Sequence, residues 1–299
     1  MKEISGYITG AIDVLRARGD LRRYAEIDPG TPTTLFETFM LYCIRRQFEI
    51  PKDRIAEHFI PSTLAGVRQL FEAYDDVADG ASAFPDISAI KTHEGLQRKL
   101  QNVIEAIMSA PIQRHQRRQI MGIINQERHL QYSLEQRYGQ HTQPLSSAEA
   151  ILWREQSGGS FFSLFPRIAG IQLGIDSRSS EPMINAAYLY GAKLQLLDDL
   201  VDVEEDIGNS RQNAFISSLL ELPNEYQEVQ KRINGSPHML SFQQLRESAP
   251  RSLRTIEDAR AGYLRRIADE ARFPIFDLIC DQKYTPTVIN QYRLRTSYK

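Results

Sequence analysis

Cysteine is almost missing from this chain: Cys43 and Cys280 are the two in 299 residues. Two thiols in a chain of this length make no disulfide framework, so a reducing compartment, the cytoplasm, is the expected location. Basic excess is missing too. The formal net charge is -2, which leaves no electrostatic footprint for nucleic acid or an anionic membrane surface. No run approaches the roughly 18 apolar residues of a membrane span. The opening stretch MKEISGYITGAIDVLRARGD lacks the apolar core of a signal peptide. No His has a Glu three residues before it, which argues against a di-iron bundle. Neither acid-rich stretch has the central glycine of an EF-hand loop.

Strict apolar–polar alternation and β-branched runs are also scarce, and that points away from strands. Helical periodicity fills most long segments instead, among them TTLFETFMLYCIRRQFEI, LAGVRQLFEAYDDVAD and INAAYLYGAKLQLLDDLVDVEED. Turn-rich stretches such as GASAFPD, GQHTQPLSS and GIDSRSSEP separate them. SSAEA at 146–150 and SEPM at 180–183 read as helix starts. No repeat, linker or shift in composition marks a boundary. The expectation is one all-α domain, 1–299, built as a helical bundle of roughly ten helices around a central pocket.

Two acid clusters stand out. Asp75, Asp76 and Asp79 lie in LFEAYDDVADG, and Asp198, Asp199, Asp202 and Asp206 lie in QLLDDLVDVEED. On helices, Asp75 and Asp79 share one face, as do Asp198, Asp202 and Asp206. Carboxylates set among aliphatic side chains repel one another unless cations neutralise them. An all-oxygen ligand set suits Mg²⁺, which keeps positions open for water and substrate phosphate. A single acid run is more often a solvated helix face. Two such runs, both embedded in apolar sequence, favour a metal site.

The pair DDVAD and GAKLQLLDDLVDVEED resembles the class I isoprenoid synthase superfamily. That resemblance implies an all-α pocket in which the two motifs face each other and bind three Mg²⁺ ions and the diphosphate of a prenyl substrate. The second segment fits the trans-prenyltransferase pattern through Gly191, Gln195, Asp198, Asp199 and Asp202. It also fits the terpene cyclase triad through Asp198, Asp202 and Asp206. Asp199 is a ligand under the first pattern and a supporting acid under the second. IGNSRQNAF resembles the basic-then-Asn tail of the motif, with Arg211 as the candidate diphosphate contact. LWREQSGGSFFSLF resembles the cyclase segment in which an Arg senses diphosphate and small residues break the helix. Arg154 matches the sensor, 44 residues before Asp198, and Ser157, Gly158 and Gly159 match the break. The plain alternative is a helix end at Gly158–Gly159 with Arg154 on the surface. The segment is also similar to the second motif of squalene and phytoene synthases.

The details separate reactions. Elongating prenyltransferases carry a basic segment near the N-terminus, a basic pair after the first motif and Lys-Thr in the third block. Here DPGTPTTLFETF lacks the first, no Arg or Lys follows Asp79 until Lys91, and Gln156-Ser157 replace Lys-Thr. A second diphosphate would lack counter-charge. The reading is therefore a terpene cyclase: Mg²⁺ draws off diphosphate, and aromatic faces hold the cation by cation–π attraction. Phe71, Trp153, Phe161, Phe162, Phe165, Tyr188 and Tyr190 are candidates, although each fits ordinary core packing as well. Gln195 is expected to line the pocket, and Gly191 to admit a close neighbour. Arg293 or Arg295 with Tyr298 faintly resembles a cyclase lid pair. The alternatives are a trans-prenyltransferase, a head-to-head synthase of the squalene type, and a non-catalytic prenyl diphosphate-binding subunit. The superfamily is often dimeric, so a homodimer is compatible with the resemblance.

Overall fold

The computed structural model describes residues 48–51, 54, 60–79, 94–139, 144–235 and 240–271; at 75–79, 139 and 268–271 it describes backbone alone. Among these residues the chain is all-α, with no strand. The helices are α1 (Ile60–Asp79), α2 (Glu94–Ser109), α3 (Arg114–Leu134, continuing into a π turn at Glu135–Gly139), α4 (Ser147–Leu173) and α5 (Ser177–Val201). Then come α6 (Val203–Gly208), α7 (Ala214–Leu220), α8 (Pro223–Gly235), α9 (Phe242–Ser248) and α10 (Pro250–Ala271). No helix among the described residues is long and apolar enough to cross a membrane.

The backbone falls into two compact units. One holds the described residues of 137–162 and 185–271; the other holds those up to 136 together with 163–184. In the second unit α1 packs on α2, where Gly66 leaves room for Val103. Gln172 Nε2 donates to Thr63 Oγ1 at 3.0 Å within the buried interior. Arg128 lies over the Tyr74 ring, 5.1 Å from its centroid. In the first unit α7 packs on α8 and α10, and α9 on α8 and α10. The apolar residues between the acids of QLLDDLVDVEED pack as core: Leu196, Leu200 and Val203 are fully buried.

Local chemistry sets both ends of α4 and the start of α5. Ser146 begins α4 as expected: its Oγ accepts from Glu149 N–H at 3.3 Å, and Glu149 reaches back to Ser146 N–H at 3.0 Å. The start expected at 180–183 lies earlier. Asp176 Oδ1 accepts from Ser179 N–H at 2.9 Å, so the helix opens at Ser177 and Pro182 falls inside its second turn. Gly174, at φ 71°, closes α4. Its N–H reaches the Ile171 carbonyl and Ile175 N–H reaches Gly170, a Schellman end that needs a left-handed residue.

One expectation fails outright. Helix α4 runs through Ser157, Gly158 and Gly159 without interruption. The glycines serve packing instead. A Cβ on Gly158 would lie 2.7 Å from the Gly191 carbonyl oxygen, and one on Gly159 would lie 2.7 Å from the Tyr188 ring. A Cβ on Gly191 would in turn strike the Gly158 carbonyl and lie 2.7 Å from Phe162 Cβ. Helices α4 and α5 therefore cross backbone to backbone, which only glycine permits on both sides. The close neighbour expected at Gly191 is α4.

Candidate active site

Helix α5 carries the second acid segment toward α6. The helical ladder continues across the one-residue interruption at Asp202. Asp202 N–H donates to the Asp198 carbonyl at 2.9 Å, and Asp206 N–H donates to the Asp202 carbonyl at 2.8 Å. Asp198, Asp202 and Asp206 thus keep the four-residue spacing expected of them. They sink progressively into the protein: Asp198 is exposed, Asp202 half-buried and Asp206 buried. Gln195 Nε2 reaches Asp198 Oδ2 at 3.4 Å, and Gln195 Cβ sits against Gly158.

Asp199 points the other way. Its side chain is 1% exposed and pairs with Arg154, whose Nε lies 2.9 Å from Oδ1 and donates to Oδ2 at 3.2 Å. Its Oδ2 accepts from Ala214 N–H at 2.8 Å, at the start of α7. Both oxygens are therefore engaged inside the protein. Arg154 is neither loose on the surface nor buried out of reach, since its side chain is 18% exposed. Its guanidinium is held at Nε by Asp199 and lies 4.4 Å from the centroid of the Trp153 ring. Trp153 in turn stacks on Tyr138 at 6.1 Å. Arg154 is thereby fixed from two sides.

The charges explain one another. Burial works to lower the Arg154 guanidinium, but Asp199 at contact, with Asp206 and Asp198 behind it, holds it above its ordinary value. Burial pushes the Asp199 carboxyl up, against the pull of Arg154 and of the Ala214 N–H. Asp202 is pushed up to about 6, first by burial and then by Asp206, Glu205 and Asp199. Burial also raises Asp206, while the Asn213 side chain, Arg154 and Arg211 pull it down. The cluster holds more negative charge than Arg154 and Arg211 offset, and that is the condition for cation binding.

The donor set fits Mg²⁺ on that ground. Its ligands are oxygen atoms, and of these carboxylates Asp198 and Asp202 are the most accessible, exposed and half-buried respectively. Among the described residues no three His, Cys, Asp or Glu side chains converge on one point. Mg²⁺ usually needs only one or two carboxylates and completes its shell with water and phosphate. The side chains of Asp75, Asp76 and Asp79 lie outside the described residues, although their backbone ends α1. Arg293, Arg295 and Tyr298 also lie outside them.

The aromatic candidates divide. Trp153 is taken up by Arg154 and Tyr138, and Phe165 is fully buried. Phe162 meets Phe161 edge-on at 5.5 Å and Tyr190 at 6.1 Å, and both phenylalanines are half-buried. Phe71 packs beside Tyr74 at 6.3 Å on α1. Tyr188 lies over Gly159. Asn213 entered the sequence reading only as the Asn of the basic-then-Asn tail, although an Asn directly before the apolar run AFISSLL is also an N-cap signal.

No protein-family model matches the sequence, and comparison with curated proteins finds no match. Solved structures do match. A geranylgeranyl pyrophosphate synthetase from Pyrococcus horikoshii is 11% identical, with TM-score 0.56 over 96% of this chain and 99% of that one. A geranylgeranyl pyrophosphate synthetase from the archaeon Geoglobus acetivorans is 9% identical, with TM-score 0.51 over 93% and 96%. A polyprenyl synthase from Caulobacter crescentus, complexed with calcium and isoprenyl diphosphate, is 15% identical, with TM-score 0.53 over 95% of each chain. The chain has the all-α fold of these solved synthetases and synthase.

Proposed function

We propose that the protein is a Mg²⁺-dependent enzyme that ionises an allylic prenyl diphosphate, and that it works as a prenyltransferase. The observation that carries the reading is the fixed Arg154. It is paired with Asp199, stacked on Trp153 and set beside an acid segment short of positive charge. A guanidinium held at Nε keeps its Nη groups for phosphate oxygens. Asp198, Asp202 and Asp206 would hold metal, and the sequence pattern alone makes Asp75, Asp76 and Asp79 metal ligands as well. The bound metal supplies Lewis acidity toward the leaving diphosphate. Arg154 and Arg211 orient that group and take up its charge, and Phe161, Phe162 and Tyr190 offer apolar and aromatic surface to the prenyl chain. Similarity to prenyl diphosphate synthases favours transfer over the cyclisation expected from the motifs.

Cyclisation stays as the second reading on one observation: Gln156 and Ser157 stand where elongating enzymes carry Lys-Thr. The test incubates the purified protein with allylic diphosphates of increasing length, with and without Mg²⁺ and isopentenyl diphosphate, and reads products by mass spectrometry. Longer diphosphates that require isopentenyl diphosphate support transfer. A hydrocarbon or alcohol from one diphosphate alone replaces it with the cyclase. Binding with no turnover under any condition replaces both with a prenyl-binding subunit.

A further inference from the structure

Asn213 is fully buried, and its side chain works in three directions. Its Nδ2 donates to Asp206 Oδ2 at 2.7 Å and to the Asp199 backbone carbonyl at 3.2 Å. Its Oδ1 accepts from Ile216 N–H at 2.7 Å, capping α7. The amide of the next residue, Ala214, is the one that holds Asp199 Oδ2. One dipeptide therefore ties down two carboxylates of the acid segment.

The turn that delivers this dipeptide is tightly specified. Arg211 N–H donates to the Asp206 carbonyl at 2.8 Å and Ser210 N–H to the Ile207 carbonyl at 3.3 Å. Together these form a Schellman end whose left-handed position is Ser210, at φ 56°. Position 213 is fixed in turn against the residues that precede the turn. Capping alone does not explain an asparagine there. Ser and Asp cap a helix about as well, but neither offers the two N–H groups that Asp206 and the Asp199 carbonyl receive. Asp would also add a negative charge to a cluster already rich in it.

We propose that Asn213 is a positioning residue for the acid segment. It occupies Asp206 Oδ2 and so fixes which oxygen of that carboxylate, Oδ1, is left to face a cation. Through Asp199 and the α7 start it also sets the position of Arg154. This rests on the reading of Asp206 as a metal-binding carboxylate. Groups that orient ligands from behind cost about 10–100-fold in metal affinity when removed.

Calorimetric titration of the full chain with Mg²⁺ in the presence of inorganic diphosphate tests this, alongside thermal unfolding of the metal-free protein. Asn213→Ser keeps a capping oxygen but cannot reach Asp206; Asn213→Ala loses both functions. The expected result is a 10–100-fold weaker Mg²⁺ affinity in both variants, with the unfolding midpoint lowered further in Asn213→Ala, which also loses the cap, than in Asn213→Ser. If Asn213→Ser binds Mg²⁺ like the wild type, Asn213 is a helix cap and nothing more. If affinity falls only in step with the midpoint, the effect is global and the proposal is likewise overturned. If wild-type protein binds no Mg²⁺ with diphosphate, the metal-site reading itself fails and this inference falls with it.

Discussion

Replacing Gly191 by alanine puts a methyl group 2.7 Å from Phe162 Cβ and closer still to the Gly158 carbonyl oxygen, where 3.4 Å or more is ordinary contact. Neither neighbour can rotate away: one is backbone and the other is the root of a side chain. The helices must separate, and overpacking of this kind costs about 1–3 kcal/mol. Against it stands the roughly 0.5–1 kcal/mol by which Ala is favoured over Gly inside a helix. The net for Gly191→Ala is a loss of about 1–2 kcal/mol. Gly122 in α3 supplies the control, because a Cβ there meets nothing within 4 Å. Gly122→Ala keeps only the propensity gain, so it stabilises by about 0.5–1 kcal/mol. Urea unfolding of both variants therefore shows midpoints moving in opposite directions at unchanged slope. Gly158→Ala forces the same separation, so the Gly158→Ala/Gly191→Ala double variant loses less than the sum of the two singles. If Gly191→Ala is as stable as Gly122→Ala, the backbone-to-backbone crossing of α4 and α5 is wrong, and with it the seat of Arg154 beside Asp199.

Arg154→Met strands a carboxylate that is 1% exposed. Breaking a buried pair from one side costs about 3–5 kcal/mol, and the partial exposure of Arg154 puts the loss near the lower figure. Adding Asp199→Asn recovers part of it, with a coupling of about 1–3 kcal/mol in a double-mutant cycle; additive losses in urea unfolding would show the pair to be unformed. Asp202, raised to about 6, is an acid whose proton the folded state binds more tightly than the unfolded chain does. Metal-free stability should fall as pH rises from about 4, the ordinary Asp value, to about 6. Mg²⁺ should raise the melting temperature more at pH 8 than at pH 5, and an equal rise at both would remove Asp202 from the metal site. Ser210→Gly should stabilise by about 1 kcal/mol, since a left-handed residue with a Cβ is strained. A lower melting temperature would show that the Ser210 hydroxyl has a role the backbone does not reveal.

The fold class was legible because helical periodicity is a local property, and QLLDDLVDVEED shows the logic at its clearest. Its aliphatic residues Leu196, Leu200 and Val203 pack as core. The i, i+4 rule also places Asp198, Asp202 and Asp206 on one ladder without any tertiary knowledge. The failures are tertiary. A glycine pair inside a helical run reads as a break because Gly costs helix stability; only the opposing Gly191, 33 residues away, reveals that Gly158 makes room for a second backbone. Asp199 could not be assigned from spacing, since its role depends on Arg154 and Ala214, 45 and 15 residues distant. Asn213 carried a legible signal, the N-cap of α7, but its second partner is Asp206, and capping rules look forward along the chain. That partner lies behind it, across a turn closed by Ser210. Sequence spacing thus places chemistry along one helix, whereas contacts between helices decide which acids are engaged within the protein.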